Sequence, residues 1–310
     1  MKAHRQCRVA MVGMGQMGGA MATRLVSCGH QVVGYDVSEA TRSRWLAKGF
    51  SVAVDLDEAV AVCDVVISSL PDSRAVRAAW LGEGEGGIAA KAAPGTICIE
   101  MSTIDPATMV EIGEAAGRRG VAVVDCPVSG GPVEAGNGTL VLIAGGEEAT
   151  VEAATPFLMD LGESPRYCGR IGTAKVVKII NNTMAMGNLL MAAEAFTVGA
   201  AAGVDPARLF EVLSVSGGTS RTFTKRFPKA LLGDFSPGFK IELAEKDIGL
   251  GVALGRDLRL PMPMATLVHQ LFGVALLQGH RGSDAVAMLK MYQAWADQST
   301  QQYGQNQEVG

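Results

Sequence analysis

The stretch Arg8-Val-Ala-Met-Val-Gly13-Met-Gly15-Gln-Met-Gly18 decides the fold, because three glycines join a short apolar strand to a helix. The strand is predicted over 8–12 and the helix over 17–28, and a second strand over 31–35 ends in Asp36. Glycines at this spacing permit a tight turn and let the backbone approach a pyrophosphate at a helix N-terminus. This strand–glycine–helix context predicts a dinucleotide site. The predicted contact residues are Gly13, Met14, Gly15, Gln16, Met17 and Gly18.

Asp36 stands about twenty residues after the glycines, where a carboxylate reads the adenosine ribose. Its oxygens would accept hydrogen bonds from both ribose hydroxyls and would repel a 2′-phosphate. Val37 and Ser38 offer no arginine for that phosphate, although Arg42 and Arg44 lie further on. The predicted cofactor is therefore NAD rather than NADP.

Strands and helices alternate in the first half of the chain. A helix is predicted over 39–48, and further strands over 65–69, 96–101, 121–124 and 139–144. Asp105 and Pro106 have the residue types of an N-cap and a first helical residue. Alternation of this kind implies right-handed crossovers and a mostly parallel sheet.

The pattern becomes helical after Cys168, and glycine and proline mark the helix ends. One long helix is predicted over 173–203, followed by helices over 206–214, 222–232, 239–258, 263–278 and 283–298. The predicted fold class is α/β. A Rossmann-like dinucleotide-binding domain, residues 1–168, is linked by the long helix to an all-α domain, residues 169–310.

The long helix carries polar residues in an apolar start. Lys178 is flanked by Val176-Val177 and by Ile179-Ile180, and Asn182 follows it by one helical turn on the same face. Burial disfavours the charged form of a lysine and lowers its pKa, so Lys178 is a candidate proton carrier near neutral pH. The alternative is a lysine whose stem crosses an apolar surface to reach solvent.

Other polar groups follow predicted strands. Asp125-Cys-Pro-Val-Ser129-Gly130-Gly131 offers successive N–H groups and a hydroxyl, which would form a nest for a carboxylate or a simple glycine-rich turn. Because Asp105 caps the next helix, we expect the Thr103 hydroxyl to face a ligand. Lys246-Asp247 lies within a predicted helix and by itself is typical of a solvated charge pair.

Composition argues against several kinds of partner. The 310 residues are 48% hydrophobic and 19% charged, with a net charge of −4 and no basic block, so nucleic acid is not an expected partner. Every apolar run of membrane-spanning length is interrupted by a charge or a glycine, and residues 1–8 do not resemble a signal peptide, so no membrane is expected either. Six scattered cysteines indicate a reduced, cytoplasmic protein without a metal site.

Together these motifs resemble those of the β-hydroxyacid dehydrogenases, the group that contains 3-hydroxyisobutyrate dehydrogenase and tartronate semialdehyde reductase. The resemblance runs from Gly13 to residue 298 and rests on four motifs in order. They are the glycine triplet, the 125–131 segment, Gly169-x-x-Gly172 through Lys178 to Asn182, and Lys246-Asp247. In two departures, Ala174 stands where relatives usually have glycine and Cys126 where they usually have alanine. These departures bear on the substrate pocket more than on the chemistry.

The resemblance implies reversible hydride transfer between NAD and a small 3-hydroxy acid such as 3-hydroxyisobutyrate, in a cleft between the domains. It implies that Lys178 is the general acid and base and that Asn182 positions the substrate, whose carboxylate is held by Ser129, Gly130 and Gly131. It also implies that Thr103 and Lys246 contact the nicotinamide half of the cofactor and that Leu70 and Pro71 pack beside it. The implied assembly is a homodimer or homotetramer formed through the helical domain.

Three alternatives stay open at this point. The first is an NAD(P)H-dependent reductase of small aldehyde acids, such as glyoxylate, succinic semialdehyde or tartronate semialdehyde, on the same scaffold. The second is an imine reductase, and the third is a non-catalytic dinucleotide-binding protein. Proteins of the last two kinds tend to lack the lysine, so Lys178 argues against both.

Overall fold

The structure is a computed structural model that describes residues 6–82 and 86–307, with side chains described as far as residue 297. The chain divides into two compact units, Met1–Ile179 and Ile180–Gly310. The division falls inside the longest helix, whereas the sequence pattern changes earlier, at Cys168.

The first unit alternates strands and helices as the sequence predicts. Its strands are β1 (Arg8–Val12), β2 (Gln31–Tyr35), β3 (Ser51–Val52), β4 (Val65–Ser68), β5 (Ile97–Glu100), β6 (Ala122–Asp125), β7 (Val128–Ser129), β8 (Val141–Ala144) and β9 (Arg166–Tyr167). Its helices are α1 (Gln16–Ser27), α2 (Glu39–Leu46), α3 (Leu56–Val60), α4 (Ser73–Trp80), α5 (Ile88–Lys91), α6 (Pro106–Gly117), α7 (Pro132–Asn137) and α8 (Glu148–Leu158).

The main sheet is parallel throughout and has the strand order β3-β2-β1-β4-β5-β6. The order reverses between β1 and β4, and the carboxyl edge at such a reversal is where doubly wound sheets bind dinucleotides. The predicted parallel sheet is confirmed. The predicted strand over 139–144 is found as β8, but it belongs to a smaller sheet, β7-β8-β9, in which β7 runs antiparallel to it.

Both faces of the main sheet are covered. Val9 and Met11 of β1 contribute to the core on one face, and Ala10 and Val12 contribute to the core on the other. None of these four side chains is more than 2% exposed. A strand buried on both faces is a continuous apolar run rather than an alternating one, which is why β1 is easy to recognise in the sequence.

The second unit is helical. Its elements are α9 (Thr173–Ala201), which begins in the first unit, α10 (Pro206–Val215), α11 (Arg221–Leu231), α12 (Ile241–Asp257), α13 (Pro263–Leu277), a 3₁₀ turn (Ala285–Ala287) and α14 (Met288–Gln307). The last predicted helix began at 283, but the α-helix starts at Met288. Asp284 explains the difference, because its carboxylate accepts the N–H groups of Val286, Gly238 and Phe239 and so fixes a tight turn first.

Helix α9 is the one described helix that is long and apolar enough to cross a membrane by length and composition. One such helix is weak evidence for a membrane, because the core helix of a soluble protein meets the same criteria. A third of its most apolar window, 33%, is buried within the protein.

Trp45 of α2 supports the glycine loop between β1 and α1. Its Nε1 donates a hydrogen bond to the Met14 carbonyl oxygen at 2.7 Å. Its ring lies so close to Gly19 that a Cβ added there would come within 2.0 Å of it. A side chain at position 19 would therefore push the indole away from the loop.

We predict that Gly19→Ala destabilises the protein, although alanine usually stabilises a helix interior. Overpacking of this kind costs about 1–3 kcal/mol. Urea denaturation measures the change in the free energy of unfolding. Tryptophan fluorescence, compared between Gly19→Ala and the same change combined with Trp45→Phe, reports whether the indole of Trp45 has moved. The matched control is Gly117→Ala in α6, where a Cβ would meet no atom within 4 Å. If Gly19→Ala were as stable as this control, the contact would not constrain the loop.

Candidate active site

The glycine loop is shaped to admit a phosphate. Gly13 has a φ of +91°, and a Cβ there would lie 2.4 Å from the Ser69 carbonyl oxygen, while a Cβ on Gly18 would lie 1.8 Å from the Gly13 carbonyl oxygen. Gly15, by contrast, has no atom within 4 Å of its Cβ position, so its outer side is open. Gly15 is also the N-cap of α1 and provides no side-chain cap. An open backbone at the positive end of a twelve-residue helix fits a dinucleotide pyrophosphate.

Asp36 lies at the carboxyl end of β2 and is held by two backbone groups. Its Oδ2 accepts the Met14 N–H and its Oδ1 accepts the Ser38 N–H, each at 2.9 Å. Each carboxylate oxygen has a further lone pair, which suits it to accept a ribose hydroxyl. Arg42 is engaged nearby, because its Nη1 donates to the carbonyl oxygens of Asp36 at 2.6 Å and Val37 at 3.2 Å.

The ends of β4 and β5 meet beside the glycine loop. The Ser102 Oγ accepts the Leu70 N–H at 2.8 Å, and Leu70 packs against Gly13, whose Cβ position lies 2.8 Å from the Leu70 Cδ2. Pro71, which is exposed, directly follows Leu70, and Thr103, which is half-buried, directly follows Ser102. The structure thus brings Leu70 and the Ser102–Thr103 segment to the carboxyl edge of the sheet, where the sequence predicts cofactor contacts.

Ser129 ends β7 and is half-buried, and Gly130 after it is exposed with a φ of +140°. The N–H of Gly131 donates to Glu134 Oε2 at 2.7 Å, which caps the start of α7. One N–H of the predicted carboxylate nest is therefore already bound to a carboxylate of the chain. A ligand at this loop would meet the Ser129 hydroxyl and the Gly130 N–H beside that fixed negative charge.

Lys178 and Asn182 lie on the buried face of α9, where they are 9% and 6% exposed. The apolar sequence neighbours do not all lie on the buried side with Lys178, because Val177 and Ile180 are 42% and 40% exposed. Adjacent helical residues point about 100° apart, so burial follows the face of the helix rather than the sequence neighbours.

In the second unit Asn182 is joined to the Lys246-Asp247 pair. The Asn182 Nδ2 donates to Asp247 Oδ2 at 2.6 Å, and Lys246 Nζ lies 2.8 Å from Asp247 Oδ1 as an ion pair. Asp247 is 2% exposed. The interpretation of this pair as solvated is therefore wrong for Asp247, whose carboxylate links the two predicted site residues.

Lys175, Glu100 and Asp125 form a buried charge cluster that was not predicted from the sequence. All three side chains are fully buried, and Lys175 Nζ donates to the Glu100 carbonyl oxygen at 2.9 Å and lies 3.1 Å from Asp125 Oδ1. Glu100 and Asp125 are the last residues of β5 and β6. The sequence contains one signal of this cluster, because Glu100 and Asp125 are carboxylates that each end an apolar strand.

A cavity of about 680 Å³ lies at the opposite, amino edge of the sheet. Its lining includes Cys7, Arg8, His30 and Cys63. His30 is fully engaged, because its Nδ1 accepts the Cys7 N–H at 3.1 Å and its Nε2 lies 2.9 Å from Asp160 Oδ2. No predicted site residue lines this cavity. Within the described residues no group of three His, Cys, Asp or Glu side chains could hold a metal ion, and the expected lack of a metal stays a prediction.

Comparison with known proteins places most of the chain within two family models. Residues 8–177 match the model described as the NAD binding domain of 6-phosphogluconate dehydrogenase. Residues 172–292 match the model described as NAD-binding of NADP-dependent 3-hydroxyisobutyrate dehydrogenase.

Relatives match the chain over nearly its full length. The 2-(hydroxymethyl)glutarate dehydrogenase of Eubacterium barkeri is 30% identical, with 93% of this chain and 96% of that protein covered. The NAD-dependent L-serine dehydrogenase of Pseudomonas aeruginosa is 32% identical, with 92% and 97% covered. The structure of Mycobacterium tuberculosis 3-hydroxyisobutyrate dehydrogenase with L-serine superimposes with a TM-score of 0.83 at 29% identity, with 93% and 99% covered.

We predict that NAD is preferred over NADP by on the order of a hundredfold in kcat/KM, about 2.7 kcal/mol. Asp36 favours the ribose hydroxyls and repels the 2′-phosphate, so both effects act in one direction. Asp36→Asn removes the repulsion and should narrow the preference. The measurement is kcat/KM with both cofactors in each protein.

The control is Arg118→Ala, which removes an exposed arginine at the C-terminal end of α6 and should leave the preference unaltered. A wild-type preference for NADP, or the same preference in Asp36→Asn as in wild type, would show that Asp36 does not discriminate between the cofactors.

Proposed function

The chain belongs to the β-hydroxyacid dehydrogenase family, and from that premise we propose that it oxidises a small 3-hydroxy acid with NAD, reversibly. The observation that carries the proposal is Lys178, an amine on the buried face of α9, in a chain whose glycine loop and Asp36 suit NAD. A buried amine that can exchange a proton is the group that this reaction requires of the protein.

The bound cofactor supplies the hydride chemistry, and the chain supplies proton transfer and positioning. When bound, NAD would accept the hydride that the substrate carbon loses in oxidation. The neutral amine of Lys178 takes the hydroxyl proton as the carbonyl forms. In reduction the ammonium of Lys178 returns that proton to the oxygen. We assign substrate orientation to Asn182, whose amide is itself oriented by Asp247.

The remaining site residues are proposed to bind. Gly13 to Gly18 hold the pyrophosphate, Asp36 holds the adenosine ribose, and Leu70 and Pro71 flank the dinucleotide. Thr103 and Lys246 contact its nicotinamide half. Ser129, Gly130 and Gly131 form the loop that receives the substrate carboxylate. The Ser102–Leu70 hydrogen bond and the Glu134 cap support these assignments because they fix the backbone of both loops.

The substrate class follows from what the named relatives share. L-serine and 2-(hydroxymethyl)glutarate, named for two relatives, each carry a CH₂OH group on the carbon that bears a carboxylate. We therefore propose a substrate with a hydroxyl group on the carbon next to a carboxylated carbon. These relatives are named as dehydrogenases, so a dedicated aldehyde-acid reductase is not favoured.

The test is NADH formation with a panel of 3-hydroxyisobutyrate, L-serine, L-threonate and D-glycerate, followed by product analysis in both directions. We expect turnover of at least one acid. If none is oxidised and none of the matching aldehydes is reduced, the proposal is wrong.

Lys178→Met should abolish most turnover and leave NADH binding intact. General acid–base groups contribute about two to four powers of ten in rate. Steady-state kinetics measures the first effect and fluorescence titration with NADH the second. Lys229→Met, which removes an exposed lysine of α11, is the matched control and should leave both unchanged. Turnover of the Lys178 variant within a few-fold of wild type would contradict its assignment.

A pair of variants tests the carboxylate loop. Ser129→Ala should raise KM for the acid, because a hydrogen bond to a charged group contributes about 1.5–3 kcal/mol. Glu134→Gln should lower KM, since the amide oxygen still accepts the Gly131 N–H while the negative charge is gone. The substrate control is the matching alcohol without a carboxylate. Equal kcat/KM for the acid and this alcohol would show that the loop binds no carboxylate.

We propose a homodimer or homotetramer assembled through α9. Large apolar side chains, Val177, Met184, Met191 and Val198, recur every seven residues along this helix, and each is more than 40% exposed. Seven-residue spacing places them in one stripe on one face of the helix. A second copy of the same helix would cover that stripe.

Met184→Glu combined with Met191→Glu should dissociate the assembly, as measured by light scattering after gel filtration. Val54→Glu, at a side chain of the first unit that is 75% exposed, is the control. A monomeric wild-type protein, or one that sediments with lipid vesicles, would contradict assembly through this stripe.

We also propose that the protein works in the cytoplasm. Its six cysteines are free, and burial raises the pKa of Cys98 and of Cys126 to about 12, so both thiols are unreactive. Free thiols are typical of a reducing compartment. Fractionation of cells that express the chain tests this, and recovery from a secreted fraction would contradict it.

A further inference from the structure

The charge cluster of Lys175, Glu100 and Asp125 contains more negative groups than positive ones. One ammonium contacts two carboxylates, +1 − 2, so the three groups carry a formal charge of −1. None of the three side chains is exposed to solvent. Charges buried in this way are poorly screened and act over longer distances than surface charges.

The other contacts of both carboxylates are hydrogen-bond donors. Glu100 Oε1 accepts the Ser102 N–H at 2.5 Å, and Glu100 Oε2 is bonded to the Ser68 hydroxyl and to Trp80 Nε1. Because Trp80 Nε1 also donates to Ser68 Oγ at 2.8 Å, the hydroxyl hydrogen of Ser68 is directed to Glu100. Asp125 Oδ2 accepts the Gly172 N–H at 2.9 Å. In each of these contacts a carboxylate oxygen is the hydrogen-bond acceptor.

The cluster lies at the end of the sheet where the nicotinamide is expected. Asp36 at the end of β2 marks the adenosine side of the switch point between β1 and β4. A dinucleotide that crosses the glycine loop from Asp36 extends over the carboxyl ends of β4 and β5. Glu100 ends β5, and Asp125 ends the adjacent β6. Ser102 and Thr103 continue directly from Glu100.

We propose that this cluster, through its net negative charge, strengthens the binding of oxidised NAD relative to the binding of NADH. The nicotinamide ring is positive when oxidised and neutral when reduced, so a buried negative charge favours the oxidised form. At separations of about 10 Å in protein surroundings, one unit of charge changes such a preference on the order of tenfold.

The consequence concerns the direction of the reaction and rests on the proposed function. Tighter binding of the oxidised cofactor displaces the equilibrium on the protein toward the hydroxy acid. Lys175 sets the size of the effect, because its ammonium cancels one of the two carboxylates and also holds them in place.

The experiment compares variants that separate charge from structure. Asp125→Asn brings the cluster to zero charge. The double variant Lys175→Met with Asp125→Asn removes the ion pair but returns the charge to −1, carried by Glu100. Dissociation constants are measured without substrate, for NADH by fluorescence titration and for NAD by competition with NADH. Asp57→Asn, at an exposed carboxylate paired with Lys91, is the control.

The expected result is a roughly tenfold loss of the preference for NAD over NADH in Asp125→Asn. The preference should return to the wild-type value in the double variant and stay unchanged in Asp57→Asn. Glu100→Gln makes the same charge change as Asp125→Asn and replaces it if that variant does not fold. An equal loss of affinity for both cofactors, or a double variant that keeps the altered ratio, would overturn the proposal.

The outcome is independent of the substrate. If no hydroxy acid is turned over while the cofactor ratio follows the cluster charge, the proposed reaction fails and the charge effect stands. If turnover is found and the ratio of the NAD and NADH dissociation constants does not change with the cluster charge, the proposed reaction stands and the charge effect fails.

Discussion

A single buried ammonium holds the centre of the first unit together. Lys175, in the first turn of α9, contacts the ends of β5 and β6 through Glu100 and Asp125. Removing one partner of a buried ion pair costs about 3–5 kcal/mol, because the other charge is left uncompensated. From Glu100 the hydrogen bonds continue through Ser102 to Leu70 beside the glycine loop. The edge that would receive the dinucleotide is therefore braced by the helix that carries the proposed acid and base.

Helix α9 places two lysines three residues apart on its buried face, and their surroundings give them different tasks. Lys175 is completely buried and is bound to a carbonyl and two carboxylates, so its ammonium is a structural cation. Lys178 is 9% exposed, one turn nearer to Asn182. A general acid and base must reach the reacting oxygen, whereas the Lys175 ammonium is fixed by a carbonyl oxygen and two carboxylates. These contacts support the proposal that Lys178, rather than Lys175, is the acid and base.

The sequence predicted what depends on local pattern. Strands β1, β2, β4, β5 and β6 are apolar runs, and the N-cap Asp105 was recognisable because capping is a contact between residues three apart. Short elements such as β3 were not predicted, because a strand of two residues is too short to show an alternating pattern. Helix α8 escaped because Pro156 interrupts its pattern.

The site was predictable to a similar extent. Lys178 and Asn182 stand out within one helix, whereas the partners of Lys175 lie 50 and 75 residues away and those of Asn182 lie 65 away, beyond any helical or strand period. Glu134 could have been predicted from the sequence, because a glutamate three residues after an N-cap position is the capping-box spacing.

The measurement that tests the role of Lys178 most directly is the pH dependence of NADH formation in a single turnover, with a deuterated substrate to establish that hydride transfer limits the rate. Because the neutral amine is the base, the rate should rise from neutral toward alkaline pH in the wild type and lose that rise in Lys178→Met. A flat wild-type profile with a full isotope effect would contradict the account.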